Sequence, residues 1–374
     1  MSKTKYTIED VPKRGLCTGC GTCAGICPTQ AIEMRLNELG TEIQPYVNVK
    51  RCNKCGLCLD VCPGIEVDFS QLNEEIFGSQ PKEPLIGVMS KAWVGYSTDR
   101  ALRFQSSSGG VVTELCSFAL DEGLIDGAIV TVAPEEAPLH PVPVLARSRV
   151  EIIQASGSKY CPVTVNTKLR DIHTSNGQYA IVGLPCHVHG WRKAAQQNKH
   201  LHSQIAYGLG LACGRVCNFY ATEYYLKHRG IDLKDVASLR DRGQGWPGKI
   251  TIILKDGSEH IFPRRYAIRQ AYQAVLHNAS FGFQHFRPWR CLTCCDRAAE
   301  LADISFSDPY LPRFFRTEHI GSTLIIARSK HGENLVEEVS KAGRINLEEI
   351  TVEEVLKSHG GKLKTRKSIS AAFR

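Results

Sequence analysis

The sequence predicts a two-part protein of the α+β / α/β class, with a small cysteine-rich module followed by a larger mixed α/β domain. Eight cysteines crowd into Cys17–Pro63 in two similar runs, and strand-like segments alternate with helix-like ones from Lys91 onward. The 374 residues are too many for the cysteine-rich module alone and predict two or three domains, because domains usually have about 100–200 residues. Hydrophobic residues at 43% and charged residues at 22% are typical of a globular protein with a full core.

The two cysteine runs carry the most specific signal. CTGCGTCAGICP and CNKCGLCLDVCP both follow the spacing C-x2-C-x2-C-x3-C-P, which is typical of bacterial two-cluster ferredoxins. Small residues between the first three cysteines allow a tight loop to present its sulfurs to one 4Fe–4S cluster, while the fourth cysteine reaches the other cluster. We therefore predict one cluster on Cys17, Cys20, Cys23 and Cys62, and a second on Cys52, Cys55, Cys58 and Cys27.

Zinc and disulfides are the alternatives for these cysteines. Paired C-x2-C elements bind zinc, but zinc needs two pairs rather than two quartets that each end in Cys-Pro. Sixteen cysteines without a signal peptide in Met1–Asp10 indicate a reducing compartment, so we expect a cytoplasmic protein. No apolar run reaches the roughly 18 residues that cross a bilayer, so membrane contact is expected only through a partner.

The formal net charge of +8 is spread along the chain. The densest basic group lies in the segment 346–374 and is predicted to be a solvated tail or docking arm; it consists of Lys357, Lys362, Lys364, Arg366 and Lys367. No nucleic-acid-binding module accompanies it, so nucleic acid is not an expected partner. Positive charge beside redox sites would suit an acidic ferredoxin or a phosphate-bearing coenzyme.

The larger domain follows a predicted linker. We assign residues 1–70 to the ferredoxin-like module, 71–90 to the linker, and 91–175 and 176–345 to the two parts of the larger domain. KAWVGYSTD reads as a strand and VVTELCSFALDEG as a helix. Between them, serines followed by glycines at a helix start can expose N–H groups to a phosphate, although such a loop is equally typical of a capped helix. This first nucleotide-binding candidate consists of Ser106, Ser107, Ser108, Gly109 and Gly110.

A second candidate segment is Ser156–Cys161, after a predicted helix around Ser148–Ala155. Lys159 could meet a phosphate or a flavin edge there, and a surface lysine on a turn fits the segment equally well. Two further strands, in QYAIVG and QIAYGLGLA, place Cys186 and Cys213 at carboxyl ends, where α/β folds form their sites. The glycines near Gly208 have one residue too many for a dinucleotide fingerprint, so no Rossmann NAD site is predicted.

The remaining cysteines suggest a third cluster. Cys291 and Cys294 form C-x2-C, and with Cys186 and Cys213 they can supply four thiolates from separate loops. Single cysteines are more often core residues, which is our interpretation of Cys116. Cys161, Cys217 and Cys295 remain possible substitutes as ligands.

We also predict a hairpin over Lys249–Phe262, a late strand over Gly321–Ser329 and a late helix over Asn334–Gly343.

Five segments between Trp93 and Arg328 together resemble the signature segments of the coenzyme F420 hydrogenase/dehydrogenase beta-subunit family; in order they are SSSGGVVTEL, SGSKYCPV, VGLPCHVHGWR, GLACG and CLTCCDRAAELADISFSD. The resemblance implies an α/β flavoprotein that binds FAD beside one 4Fe–4S cluster. It carries that family's cluster ligands onto Cys186, Cys213, Cys291 and Cys294. It carries the flavin-binding segments onto Ser106–Gly110 and onto Ser156, Gly157, Ser158, Lys159 and Tyr160.

The resemblance also implies a function. FAD would exchange a hydride with coenzyme F420, and the clusters would pass single electrons to a partner, either ferredoxin or a catalytic subunit such as a hydrogenase or dehydrogenase. A ferredoxin-fed reductase of another organic substrate, as in a plant chlorophyll pathway, and a pure relay subunit are the alternatives. Lys159 is the predicted catalytic residue, with His187 and His189 as weaker proton partners. The chain departs from the family at His187, at Cys295 and in PYLPRFF after Asp308, all near the expected substrate face.

Overall fold

The N-terminal module is a short antiparallel hairpin with three single-turn helices. The structure, a computed structural model, describes residues 6–214, 216–263 and 286–372. The module's elements are α1 (Asp10–Lys13), α2 (Thr22–Gly25), β1 (Ile32–Leu36), β2 (Ile43–Val47) and α3 (Leu57–Asp60). Helices α2 and α3 each follow a glycine with positive φ, 83° at Gly21 and 84° at Gly56. Glycine adopts this left-handed conformation without strain, so each cysteine loop can turn sharply into its helix.

The segment predicted as a linker is folded along part of its length. Helix α4 (Phe69–Phe77) begins after Asp68, whose carboxylate accepts a hydrogen bond from the Gln71 N–H at 2.9 Å. Leu72 is buried in the core of the larger domain, and Ile86 is also buried. The apolar face of α4 therefore packs residues 71–77 onto the domain that they were expected only to connect.

An eight-stranded mixed sheet forms the centre of the larger domain. The strands of the domain are β3 (Lys91–Ser97), β4 (Gly127–Val132), β5 (Val142–Ala146), β6 (Tyr179–Gly183), β7 (Ile205–Leu211), β8 (Val236–Arg240), β9 (Lys249–Leu254), β10 (Glu259–Pro263), β11 (Ile304–Ser307), β12 (Thr323–Ala327) and β13 (Ile345–Glu349). The sheet order is β13-β3-β12-β11-β7-β6-β4-β5. Strands β11, β7, β6 and β4 run parallel, and antiparallel strands flank them on both sides. Strands β8, β9 and β10 form a separate antiparallel sheet.

Helices cover both faces of the large sheet. In chain order they are α5 (Arg100–Gln105), α6 (Val111–Asp121), α7 (Arg149–Gln154), α8 (Leu169–His173), α9 (Pro185–Gln197), α10 (Lys199–Gln204), α11 (Phe219–Lys227), α12 (Trp289–Leu292), α13 (Pro312–Thr317), α14 (Lys330–Lys341) and α15 (Val352–Ala372). Leu115 and Val336 pack on one face, while Leu169 and Trp191 pack on the other. A parallel sheet centre buried on both sides confirms the mixed α/β prediction.

The N-terminal module docks tightly on the start of α9 and on the 3-10 turn Val165–Lys168. The Asn166 backbone N–H donates to the Cys20 carbonyl at 3.0 Å, and its side-chain amide donates to Thr22 Oγ1 at 2.8 Å. A Cβ atom on Gly25 would lie 2.0 Å from the Asn166 carbonyl oxygen, and one on Gly190 would lie 2.1 Å from Thr22 Oγ1. Only glycine allows the two parts to approach this closely.

The basic C-terminal segment is a helix that packs against the domain, because Val355 and Leu363 of α15 are buried. The Arg366 guanidinium donates to the Cys291 carbonyl at 2.7 Å, and Lys367 pairs with Glu300 at 2.8 Å. The expectation of a solvated tail is therefore wrong for these two residues. In the described parts of the chain, no helix combines the length and the apolarity that a membrane span requires.

We predict that Gly190→Ala destabilises the folded protein by about 1–3 kcal/mol, the usual effect of overpacking a tight contact. The new methyl group would collide with Thr22 and force α9 away from α2. Thermal unfolding of the anaerobic, cluster-loaded protein should therefore show a lower midpoint. Gly361→Ala is the matched control, since nothing lies within 4 Å of its added Cβ and it is also helical. Equal midpoints for Gly190→Ala and wild type would contradict the predicted collision.

Candidate functional site

A cavity of about 1350 Å³ lies at the carboxyl ends of the parallel strands β6, β7 and β11. Ligand sites in α/β folds form at this edge of a sheet, and their usual volume is about 300–1,000 Å³. The cavity is thus large enough for an extended cofactor and a second ring system. Its walls include every residue of the two predicted segments, Ser106–Gly110 and Ser156–Tyr160, except Gly109, and they also include Cys186 and Cys213.

The structure brings the two predicted flavin-binding segments together. The Ser158 backbone N–H donates to Ser107 Oγ at 2.7 Å. The Gly109 N–H donates to Thr323 Oγ1 at 2.9 Å, and a Cβ on Gly109 would lie 2.6 Å from the Gly95 carbonyl oxygen. Gly109 therefore holds the serine loop against the sheet, at a distance that a larger residue would not permit.

The serines of the first loop do not cap the helix that follows. Gly110, with φ of 77°, is the N-cap of α6, and no side chain accepts a hydrogen bond from the first turn. The Ser108 hydroxyl donates instead to the Ser322 carbonyl at 2.5 Å. Ser106 Oγ is buried beside the cavity without a hydrogen-bond partner among the described residues. An uncapped helix start and an unsatisfied hydroxyl both suit an anionic ligand.

Lys159 lies at the cavity wall and is partly buried. Its ammonium group donates to the Ala155 carbonyl at 2.5 Å and to the Ser156 carbonyl at 3.3 Å. Burial, reinforced by the positive charge of Arg240, lowers the pKa of Lys159 to about 8. A partly desolvated amine facing a cavity differs from the surface lysine that the segment also allowed.

The cavity wall beside Gly157 carries further polar residues, of which sequence reasoning missed Arg242 and His359. Arg242 and Asp308 form a buried ion pair at 2.7 Å, and the Tyr310 hydroxyl donates to Asp308 Oδ2 at 3.3 Å. His359, from α15, lies 3.1 Å from the Asp308 carbonyl oxygen, and burial lowers the pKa of its imidazole to about 4. His359 is therefore neutral at physiological pH. Asp308, directly after the buried strand β11, and Tyr310, in the PYLPRFF segment, carried a sequence signal of this site, while Arg242 and His359 carried none.

Four cysteines converge next to the cavity. Cys186 follows β6 at the start of α9, and Cys213 follows the neighbouring parallel strand β7. Burial raises the pKa of the Cys186 thiol well above its usual range, and the nearby thiols of Cys20, Cys213, Cys291 and Cys294 raise it further. The structure thus gathers the four residues predicted for a third cluster, and it adds Cys20 as a neighbour.

The other cysteines named as possible substitutes lie in different places. Cys161 and Cys217 are buried and line the cavity, and the charge of Cys217 acts on the thiol of Cys161. Cys295 is partly buried. Cys116 lies in the hydrophobic core that contains Leu115, as predicted.

The thiols of the N-terminal module act on one another largely within the two predicted quartets, although Cys58 also acts on Cys23, and the assignment of each quartet to one cluster stays a prediction. Burial raises the pKa of Cys17 to about 12, and the neighbouring thiols of Cys20 and Cys62 contribute. Burial likewise raises the pKa of Cys58 to about 11, with contributions from Cys27, Cys55 and Cys52. Within residues 6–214, 216–263 and 286–372, no three His, Cys, Asp or Glu side chains are placed to hold a single metal ion. The four ligands of a cubane each bind a different iron, so they need not meet at one point.

His187 and His189 are held by structural hydrogen bonds. His187 Nδ1 accepts from the Leu184 N–H at 3.0 Å, and its Nε2 donates to the Val163 carbonyl at 3.0 Å. Burial lowers the pKa of His187 to about 4. His189 Nε2 lies 2.8 Å from the buried Asp296 carboxylate. These contacts favour an orienting role for both rings over proton transfer.

The paired ferredoxin-type motifs and the cysteine-lined cavity define an iron–sulfur oxidoreductase built on a mixed α/β sheet. The family model "4Fe-4S dicluster domain" matches residues 16–64. Two models of the "Coenzyme F420 hydrogenase/dehydrogenase, beta subunit" match most of the larger domain, the N-terminal one over residues 92–170 and the C-terminal one over residues 176–353. The chain belongs to the coenzyme F420 hydrogenase/dehydrogenase beta-subunit family, which confirms the resemblance seen in the sequence.

Several curated proteins are similar to the chain. Coenzyme F420 hydrogenase subunit beta from Methanothermobacter thermautotrophicus is 26% identical, over 69% of this chain and 84% of its own length. The F subunit of the F(420)H(2) dehydrogenase from Methanosarcina mazei is 23% identical, over 83% of this chain and 82% of its own. Coenzyme F420-dependent sulfite reductase from Methanocaldococcus jannaschii is 23% identical over 92% of this chain, which spans only 49% of that protein.

A solved structure shares the fold. A chain of the F420-reducing NiFe hydrogenase complex from Methanosarcina barkeri superposes with a TM-score of 0.59 at 21% identity, covering 76% of this chain and 92% of that chain. The fold of the cavity-bearing domain is therefore one that a solved complex already shows.

We predict that Lys159→Met raises the free energy of unfolding of the cofactor-free protein near neutral pH. The folded wild type holds an ammonium whose pKa is lowered from 10.5 to about 8. The unfolded chain therefore binds this proton more tightly than the folded protein. As a result, the wild-type free energy of unfolding increases as the pH rises from about 8 toward 10.5. Below pH 8, Lys159→Met should raise the free energy of unfolding by at most about 3 kcal/mol relative to wild type. Between pH 8 and 10.5 this difference should become smaller. Urea unfolding at a series of pH values measures this difference.

Lys159→Arg is the control for this prediction, because arginine stays charged throughout the pH range. It should show no gain in stability near neutral pH. A difference between Lys159→Met and wild type that does not change with pH would contradict the lowered pKa.

Proposed function

We propose that this chain is an FAD-containing iron–sulfur oxidoreductase that moves electrons between coenzyme F420 and a partner protein. The observation that carries the proposal is one cavity lined both by the serine loop, with its uncapped helix start, and by Cys186 and Cys213, two of the four neighbouring thiols. A hydride carrier and a one-electron carrier would meet in such a cavity. The names of the relatives above, which include coenzyme F420, support the choice of substrate.

The residues of the cavity fit FAD. The start of α6 and the hydroxyls of Ser106 and Ser107 would hold the pyrophosphate, because helix N-termini and serines favour anions. Ser158, bonded to Ser107, would close the loop around it. The ammonium of Lys159 would face the cofactor in its charged form below about pH 8. Bound FAD supplies the exchange between hydride and single electrons, while the chain positions the ring and excludes water.

The cysteines fit three 4Fe–4S clusters. The third would be held by Cys186, Cys213, Cys291 and Cys294, and the other two by the quartets of the N-terminal module. Because Cys186 and Cys20 are neighbours, the third cluster would lie next to the first ferredoxin-type cluster. The second ferredoxin-type cluster, near the exposed Cys55, would then lie farthest from the cavity.

The polar residues Arg242, Asp308 and His359 of the cavity wall would bind the substrate ring. Arg242 and Asp308 are fixed by their ion pair, and the neutral imidazole of His359 contacts the Asp308 backbone. Fixed groups of this kind orient a ring without changing charge during the reaction. For the chemistry, Lys159 remains our candidate catalytic residue, as a proton or ring-edge partner.

A reductase of another organic substrate is the second candidate. The chain's departures from the family pattern at His187 and in PYLPRFF lie on or beside the cavity, where Tyr310 is part of the wall. The partner in either direction would be ferredoxin or a catalytic subunit such as a hydrogenase or dehydrogenase. A relay-only role is disfavoured, because a subunit without a substrate would have no use for so large a cavity.

Anaerobic mixing with reduced coenzyme F420 tests the proposal. The iron- and flavin-loaded chain should lose its flavin and cluster absorbance while oxidised F420 appears. Rapid-mixing spectrophotometry separates the two events by wavelength. If only reduced ferredoxin bleaches the protein, the F420 proposal fails and the reductase alternative takes its place.

We predict that Cys186→Ser lowers the iron content from about twelve to about eight atoms per chain, since one of three four-iron clusters would be lost. The electron paramagnetic resonance signals of the two ferredoxin-type clusters should remain. Cys116→Ser is the matched control, because Cys116 is a buried core cysteine and should leave the iron content unchanged. Full iron in Cys186→Ser would overturn this ligand assignment and direct the search to Cys161 or Cys217.

A further inference from the structure

The two cysteine runs of the N-terminal module, Cys17–Pro28 and Cys52–Pro63, have similar backbone conformations but different surroundings. Gly21 and its counterpart Gly56 have the same left-handed conformation and precede equivalent helices. A Cβ on Gly21 would lie 2.8 Å from Thr167 of the larger domain, whereas nothing lies within 4 Å of a Cβ on Gly56. The surface that docks the first run onto the larger domain is therefore open in the second run.

Other equivalent positions of the two cysteine runs also differ in whether they are buried. Gly25 packs against the Asn166 carbonyl, while the equivalent residue in the second run, Asp60, is exposed. Cys20 and Cys23 are buried, but Cys55, the counterpart of Cys20, is exposed. The proposed distal cluster is thus the one whose ligand loop reaches solvent.

Positive charge surrounds this open loop. Lys50, Arg51 and Lys54 are all exposed, and none of them forms an ion pair with a carboxylate of the described residues. The corresponding positions before and within the first run carry Gly15, Leu16 and Gly19. The second cysteine run and the two residues before it thus have three basic side chains at positions where the first run and its preceding residues have none. Asp60 is the single acidic residue of the second run.

We propose that the surface formed by Lys50, Arg51, Lys54, Cys55 and Gly56, the distal face, docks a small acidic protein that carries its own exposed iron–sulfur cluster. Opposite charge attracts such a partner and orients it with its cluster toward Cys55. This proposal rests on the proposed function for the source of electrons. It adds where the electrons leave the chain and which class of protein receives them.

The transfer balances as an outer-sphere reaction. One molecule of reduced F420 delivers a hydride and a proton, that is, two electrons and two protons. Two carrier molecules dock in turn, each oxidised carrier cluster gains one electron, and both protons pass to solvent. No bond forms between the two proteins.

The test uses the full cluster-loaded chain, reduced with dithionite and freed of excess reductant. It is mixed with an oxidised, strongly acidic two-cluster bacterial ferredoxin, and the second-order rate of ferredoxin reduction is followed. For wild type this rate should fall about ten-fold or more as salt rises from low to above physiological concentration, because salt screens the attraction. A rate that does not depend on salt would overturn the proposal without any variant.

Charge reversal locates the surface. The triple variant K50E/R51E/K54E should lower the low-salt rate at least ten-fold and abolish its salt dependence. The matched control K249E/K255E/K341E changes the charge equally at three exposed lysines outside the cysteine motifs and outside the basic C-terminal group, and should stay within about two-fold of wild type. Iron content and electron paramagnetic resonance spectra confirm that both variants hold their clusters. Equal rates for the two triple variants would overturn the assignment to the distal face.

This experiment separates the two proposals. Reduction by dithionite bypasses F420, so the docking rate is measured even if reduced F420 fails to bleach the protein. A salt-dependent rate that only the distal variant loses would support docking whatever the substrate. Bleaching by F420 combined with a salt-independent ferredoxin rate would support the proposed function and overturn the docking surface.

Discussion

The close approach of α2 to α9 is the constraint on which the rest of the site depends. Cys186 and Gly190 are four residues apart on α9 and so lie on the same side of the helix. Gly190 touches Thr22, which lies between Cys20 and Cys23. One helical turn therefore fixes the position of a cavity thiol relative to a thiol of the N-terminal module. Under the proposed function, electrons would pass between clusters held by these thiols, and because electron transfer falls steeply with distance, the glycine contact would favour it by keeping the two parts close.

Burial of the thiols raises their pKa values and so affects the free energy of binding iron. Burial raises the pKa of Cys17 and Cys213 to about 12, so both favour the neutral thiol in the folded protein. Iron binds the thiolate, and binding must therefore supply the free energy of ionising these buried groups. Arg366 and Arg297 lie near Cys213 and oppose part of this effect. Under the proposed ligand assignment, folding of the cysteine loops and assembly of the clusters would be coupled, and the basic end of α15 would contribute to the free energy of ionising Cys213.

Local spacing and sheet topology made much of the cysteine arrangement predictable from the sequence. The two quartets follow from motif spacing, and Cys186 and Cys213 meet because neighbouring parallel strands end at the same edge. The strand β3, the helix α6 and the hairpin β9–β10 also lie where the sequence pattern predicted them. Helix α4, Arg242 and His359 were not predicted, because their positions depend on contacts with residues far away in the chain. Lys159 was equally compatible with two interpretations until its burial was known.

The C-terminal helix shows why the substrate is the least predictable property of this chain. The C-terminal family model ends at residue 353, one residue after α15 begins. Beyond that point the helix places His359 in the cavity wall and Arg366 on the carbonyl of Cys291. The helix also supplies Lys362, whose ammonium lies 3.5 Å from the centre of the Tyr310 ring. Tyr310 belongs to the PYLPRFF segment, which itself departs from the family pattern. The proposed substrate end of the cavity is thus formed by one segment beyond the family model and one that departs from the family pattern, while the serine loop and the thiols lie within the residues that the family models match.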